Sequence, residues 1–278
     1  MSDLVFHPQT KQRLDSIVKK LPQSVLITGN PGIGLKTIGK FIADKKSVLP
    51  LVMLPEKNEK IDEENGVIGV NSIRRLYTDT RSKMQAGAEH LVIIHRAEKM
   101  THQAQNAFLK LLEEPNSYTR FILTTHYPSA LLPTIISRVQ TTRIRAITTK
   151  QSEKLLDSLG IKDETRRRQL LFTADGLPAE LTKLAMDEEK FKQRSLVIKD
   201  AKKLLQDTPY QRLLIIQKYK DSRSAALSLV SDAASLLSKT MVEKPSSGTL
   251  KRMNSVLSAH QRLERNANTR LALLEAFI

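Results

Sequence analysis

Residues 91–139 read LVIIHRAEKMTHQAQNAFLKLLEEPNSYTRFILTTHYPSALLPTIISRV, and this stretch decides the fold. Leu91 to Ile94 is a continuous apolar run, as expected of a strand covered on both faces. Ala104, Ala107, Phe108, Leu111 and Leu112 recur at helical spacing, and Pro115 ends that helix. Phe121 to Thr125 is a second buried strand. Two buried strands joined by a helix make a βαβ unit, so a parallel sheet is expected.

Upstream, residues 3–20 hold an amphipathic helix with Leu14, Ile17 and Val18 on its apolar side, and Ser24 to Thr28 is a short buried strand. Gly29-Asn-Pro-Gly32-Ile-Gly34-Leu-Lys36-Thr37 follows, then a helix to about Asp44. Strand, glycine-rich turn and helix are the setting of a phosphate-binding loop, where curled backbone N–H groups face an anion. The working spacing is G-x-x-x-x-G-K-[ST]. Gly29 and Gly34 fit it, but Leu35 stands where the lysine belongs, and Lys36 comes one residue late. One residue turns a helical side chain by about 100°, which aims Lys36 away from the phosphates. A one-residue bulge in the loop is the other reading, and it returns Lys36 and Thr37 to place.

The 91–139 block closely resembles the central motifs of the clamp-loader AAA+ ATPases. In that family the first strand ends in an acidic pair and the helix ends Leu-Glu-Glu-Pro. The second strand ends in polar residues, and a Ser-Arg tail follows. The matching residues are His95-Arg96, Leu112-Glu113-Glu114-Pro115, Thr124-Thr125 and Ser137-Arg138. The resemblance implies an AAA+, P-loop NTPase-like α/β domain with a parallel sheet, over 1–147. A small helical lid follows over 148–206, and an all-α collar over 207–278.

Several consequences come with the resemblance. The family's acidic pair holds Mg²⁺ and polarises the attacking water. Histidine is a poor ligand for that ion, and arginine cannot accept a proton. A metal role for His95 competes with a packing role at a strand end. Thr125, with Thr124, stands where the family senses the terminal phosphate, and two satisfied strand hydroxyls are the plainer reading. The family's second sensor arginine aligns with Ala179. Gly29, Gly32, Gly34, Lys36, Thr37 and Thr125 are thus the candidates of a degenerate nucleotide site. Arg138 aligns with the arginine offered across a subunit boundary to a neighbour's ATP; otherwise it is a surface arginine ending a short helix.

Between these blocks, Leu51 to Leu54 is a weak strand and EKNEKIDEENG a polar loop. Val67 to Arg74 resembles the family's I-x-V-D-x-I-R element, leading into a helix over about 72–86. Residues 141–147 read as a last strand or an exit segment. Gln151 to Leu159 and Thr165 to Ala174 are the first lid helices. Residues 187–208 are a charged helical connector, and KPSSG (244–248) is the clearest loop. The tail from Asn266 to Glu275 is similar to the Asn-rich end of clamp-loader collars.

The 278 residues suffice for two or three domains. The absence of cysteine excludes disulfides and cysteine zinc sites. No run is long enough to span a membrane and no signal core opens the chain, which points to the cytoplasm. A net charge of +16 favours polyanionic partners, though only Lys45-Lys46, Arg166 to Arg168 and Lys202-Lys203 are dense. Aromatics, at 4%, are too sparse for a base-stacking platform. The reading is a non-hydrolysing stator of the bacterial clamp loader in DNA replication, holding no cofactor of its own beside a neighbour's ATP and Mg²⁺. The implied partners are the gamma/tau and delta subunits, the sliding clamp and primer-template DNA. An active gamma/tau-type ATPase is the alternative.

Overall fold

The structure, a computed structural model, describes residues 4–82, 90–114, 118–243, 246–265 and 267–278. Among the described residues five strands form one sheet in the order β2-β5-β6-β1-β7, with every neighbouring pair parallel. They are β1 (Ser24–Thr28), β2 (Leu51–Met53), β5 (His90–Ile94), β6 (Thr119–Thr125) and β7 (Gln140–Arg143). The sheet is buried because its side chains alternate between two apolar layers. Val25 and Ile27, Leu91 and Ile93, and Ile122 enter one layer. There they meet α1 (Pro8–Lys19) and α2 (Leu35–Lys45). Leu26, Val92, Ile94, Phe121 and Leu123 enter the other. That layer is closed by α3 (Val70–Ser82), α4 (His102–Glu113) and α5 (Pro133–Ile136). Phe108 of α4 stands edge-on to Phe121 of β6 at its centre.

Local chemistry fixes the element ends. Thr101 caps α4 by accepting from Ala104 N at 3.2 Å. Pro115, expected to stop α4, lies outside the described residues, as do positions 83–86 of the expected α3. The polar segment after β2 is not a plain loop. It folds into an antiparallel hairpin of β3 (Glu56–Lys57) and β4 (Lys60–Ile61). Asn58 and Glu59 both take positive φ, 50° and 62°, which is the two-residue turn whose twist suits a hairpin. Gly66 closes the segment; a Cβ there would lie 2.3 Å from Asp62 O.

Two compact units divide the chain, residues 1–183 and 184–278. The first also contains α6 (Thr149–Ser158) and α7 (Glu164–Ala174), and α8 (Pro178–Met186) begins in it. A Thr148–Gln151 capping box starts α6. Positive φ at Asp175 and Gly176 turns the chain from α7 into α8.

The second unit holds α9 (Glu188–Gln206), α10 (Pro209–Tyr219), α11 (Arg223–Glu243), α12 (Ser247–Glu264) and α13 (Thr269–Phe277). The charged connector read from sequence is α9, and it belongs to this unit's core. Ala201 and Leu204 pack with Leu229, Val230, Val256 and Leu273. Its polar face carries Arg194, bound to both carboxylate oxygens of Asp232 on α11. The expected 244–248 loop is shorter than the sequence implied. Ser246 already caps α12, so Gly248 is helical, while 244–245 lie outside the described residues. Among the described residues no helix is long and apolar enough to cross a membrane.

Candidate functional site

The candidate residues gather in the first unit at the C-terminal ends of β1, β5 and β6, where open parallel sheets hold ligands. From β1 the chain curls through Gly29 to Gly34, with φ of 88° at Gly32 and 91° at Gly34. Gly34 is the N-cap of α2, so Leu35 is the first helical residue. Leu35 is 2% exposed and lies in the apolar layer. Lys36, one step around the helix, ion-pairs with Glu63 from the arm that follows the β3–β4 hairpin. Thr37 is exposed.

The start of α8 lies directly on this loop. Glu180 N donates to Gly32 O at 3.0 Å. A Cβ at Gly32 would come within 2.9 Å of Glu180 Cβ, and one at Gly34 within 3.3 Å of Ala179 Cβ. Ala179 is therefore packed against the loop itself. On the loop's other end His126 Nδ1 donates to Gly29 O at 2.8 Å, since a carbonyl can only accept.

At the end of β5, His95 is buried and shares a 2.8 Å hydrogen bond between Nδ1 and Thr124 Oγ1. Thr124 Oγ1 also accepts from Arg96 N at 3.3 Å. On the ring's other side Nε2 faces Glu63 Oε2, a carboxylate acceptor 3.5 Å away, which favours the tautomer with the proton on Nε2 and Thr124 donating to Nδ1. Arg96 takes positive φ, 55°, a conformation disfavoured by roughly 1 kcal/mol. It is held there by Thr124, by the Glu63 carbonyl, which accepts from its guanidinium, and by Glu98 Oε1 at 3.4 Å. Thr125, also buried, accepts from Tyr127 N at 3.1 Å.

Burial pushes the His95 pKa down to about 4, against the opposing pull of Glu63. The imidazole is therefore neutral at pH 7. For Glu63 burial acts upward, but the Lys36 hydrogen bond and charge outweigh it and hold the carboxyl below its ordinary value. The two shifts act on stability with one sign. A histidine depressed from 6.5 to about 4 costs stability as pH falls through that window, because the unfolded chain takes up the proton first. The loss should reach about 3 kcal/mol. Glu63 adds a further loss at lower pH, as its carboxylate is protonated. The thermal midpoint of the first unit should fall between pH 6.5 and 4, and His95→Phe should flatten that slope. An equal slope in the variant would refute this origin.

Arg138 stands apart from this cluster, just past α5. Its guanidinium donates to Thr134 O at 3.1 Å and pairs with Glu113 Oε1 at 2.9 Å. The structure thus brings together Gly29, Gly32, Gly34, Lys36, His95, Arg96, Thr124 and Thr125. Sequence reasoning missed Glu63 and His126. Both are distant in sequence from the groups they meet, and no spacing rule ties Glu63 to Lys36, 27 residues earlier.

Residues 52–148 match the family described as DNA polymerase III, delta subunit. DNA polymerase III subunit delta′ of Bacillus subtilis is 33% identical over 141 residues, 51% of this chain and 38% of the relative. The same subunit of Pseudomonas aeruginosa is 34% identical over 155 residues, 55% of this chain and 45% of the relative. The matched region thus spans less than half the length of these curated relatives. The Holliday junction branch migration motor RuvB of Thermotoga maritima shares the fold. Its TM-score is 0.50 at 13% identity, over 86% of this chain and 76% of that one. The parallel-sheet fold and these matches make residues 52–148 similar to the DNA polymerase III delta family, with subunit delta′ among the similar relatives.

Proposed function

We propose that this chain is a delta-prime-type subunit of a bacterial clamp loader that does not itself hydrolyse ATP. It serves as a stator in the ring and offers Arg138 to the ATP of a neighbouring subunit during sliding-clamp loading. Gamma/tau-type and delta subunits, the clamp and primer-template DNA are its partners on this reading. The observation that carries it is the end of β5, where a neutral His95 and a cationic Arg96 stand in place of two acids. Histidine is a poor ligand for Mg²⁺, and arginine cannot accept a proton from water. Loss of such charged groups commonly removes about 10³-fold or more in rate, roughly 4 kcal/mol of barrier lowering. Leu35, buried in the apolar layer, adds a second loss at the phosphates.

The alternative, an active gamma/tau-type ATPase, requires Lys36 to reach those phosphates. Its pairing with Glu63 and the helical start at Leu35 speak against that. The test is ATP turnover by the purified chain alone. Turnover should not rise above that of a heat-inactivated control. A rate on the order of 1 s⁻¹, ordinary for an enzyme, would overturn the proposal.

A further inference from the structure

A position that holds a metal-binding hydroxyl in a working phosphate loop holds the ammonium of Lys36 here, directly after Leu35. Beside it, at the end of β5, stands the imidazole of His95, with a nitrogen turned outward. Oxygen donors have thus been exchanged for nitrogen groups, and the polarity of the spot is reversed. Such a spot does not attract a divalent cation; it attracts an anion. The anion it meets is the chain's own Glu63 carboxylate, one oxygen on Lys36 Nζ and the other 3.5 Å from His95 Nε2.

The segment carrying Glu63 is built and anchored for this position. Asp62 Oδ1 accepts from the N–H groups of Glu64 and Asn65, at 3.1 and 2.8 Å, which shapes the arm internally. The Glu63 carbonyl accepts from the Arg96 guanidinium, and the Glu64 carbonyl from Lys99 Nζ at 2.8 Å. At its base Glu56 and Val67 bridge, so the hairpin and arm form one closed excursion. Four cationic or proton-bearing groups from two separate elements, Lys36, His95, Arg96 and Lys99, therefore converge on two consecutive residues. Glu98 is the acid that faces them from beneath, through Arg96. The Lys36 and Glu63 side chains remain about one third exposed, so a solute can reach the pair.

We infer that residues 56–66 form a tethered plug, with Glu63 as its anionic tip, filling a metal-independent anion site made by Lys36, His95 and Arg96. The ligand class competing with the tip is a small phosphate oxyanion, taken up directly on nitrogen donors without a divalent ion. The inference rests on the geometry of the first unit alone and does not require the clamp-loading role.

The experiment uses the full chain and its Glu63→Gln variant in the presence of EDTA, titrated calorimetrically with inorganic pyrophosphate and, in parallel, with ATP. Wild-type protein should bind neither below millimolar concentration. Glu63→Gln should bind pyrophosphate at least about tenfold more tightly, because the cations lose their internal partner while the amide keeps the shape. Lys36→Met in the Glu63→Gln background should remove the gain. Gain for ATP but not pyrophosphate assigns binding to the base and sugar and overturns the inference. So does a gain that survives Lys36→Met, or no gain at all. Amide exchange gives a second reading that does not depend on affinity. Lys36→Met alone should speed exchange across 56–66 at least about tenfold with the remainder of the first unit unchanged. Unaltered exchange there would refute the plug even if Glu63→Gln failed to fold. No outcome bears on Arg138 or on turnover by a neighbour, so the two proposals fail separately.

Discussion

Replacing Arg138 with alanine should slow hydrolysis at the bordering ATP site of the assembled complex by about 10³-fold, the lower range for a trans arginine. The measurement needs a complex in which only that neighbouring site keeps its catalytic acids, so that turnover elsewhere does not mask the loss. The geometry supports a positioned but releasable guanidinium. Pro133 opens α5, Ile135 anchors it in the core, and Arg138 N donates to Ile135 O at 3.0 Å. The backbone at Arg138 is thus fixed while the side chain is 38% exposed. Its partner Glu113 is half exposed, and a surface pair of this kind is worth about 0–1 kcal/mol. Swinging the guanidinium from Glu113 to a phosphate therefore costs little beside the charge it would meet there. Glu113→Gln, as control, should change turnover by less than about fivefold, because only that weak latch is lost. Unchanged turnover in Arg138→Ala would remove the finger assignment and leave the fold untouched.

Phe108→Ala should destabilise the first unit by about 4 kcal/mol. Phe108 has no exposed surface, and Phe121 is 1% exposed. Their rings meet at right angles with centroids 5.4 Å apart, a favourable edge-to-face pair. Truncation removes the ring's transfer energy and leaves a cavity between α4 and β6 that a packed sheet cannot collapse around. Against a total of about 5–15 kcal/mol, the loss is a large share. Denaturant unfolding followed by a probe in the first unit should show the midpoint shift, while a probe in the second unit should not move. Phe108→Leu should recover roughly half. A loss under about 1 kcal/mol would mean that the ring is not the keystone of its layer.

Local signals carried much of the fold. β1 was legible to the residue because its five side chains are all buried and Val25, Leu26 and Ile27 form an apolar run between two small hydroxyl residues. β5 and β6 were legible for the same reason, each found with its start one or two residues late. α4 was legible from its periodicity. The hairpin at 56–61 was not. Its strands are two residues each and exposed, so they leave no apolar alternation, and Asn58-Glu59 lacks the glycine that usually marks such a turn. α9 was found as a helix but not as core. Its many charges lie on the outward faces, and the buried residues Phe191, Ala201 and Leu204 are too widely spaced to form an obvious stripe. At the site, single positions such as Leu35 and His95 could be read against the motif spacing. Glu63 could not, because its meaning comes from Lys36 and His95, which only the tertiary fold brings to it.

The main-chain bond from Glu180 to Gly32, with Ala179 laid against Gly34, also bears on timing. A molecular clock needs something that arrives and departs, and whose departure favours a different shape. A solute moves a two-state equilibrium only as far as it prefers one state over the other. Here loop and helix close on each other with their own atoms, which leaves no solute's departure to open them. On the proposed reading such a subunit is the fixed jamb against which a neighbour's door swings, and the rhythm of the ring is set elsewhere.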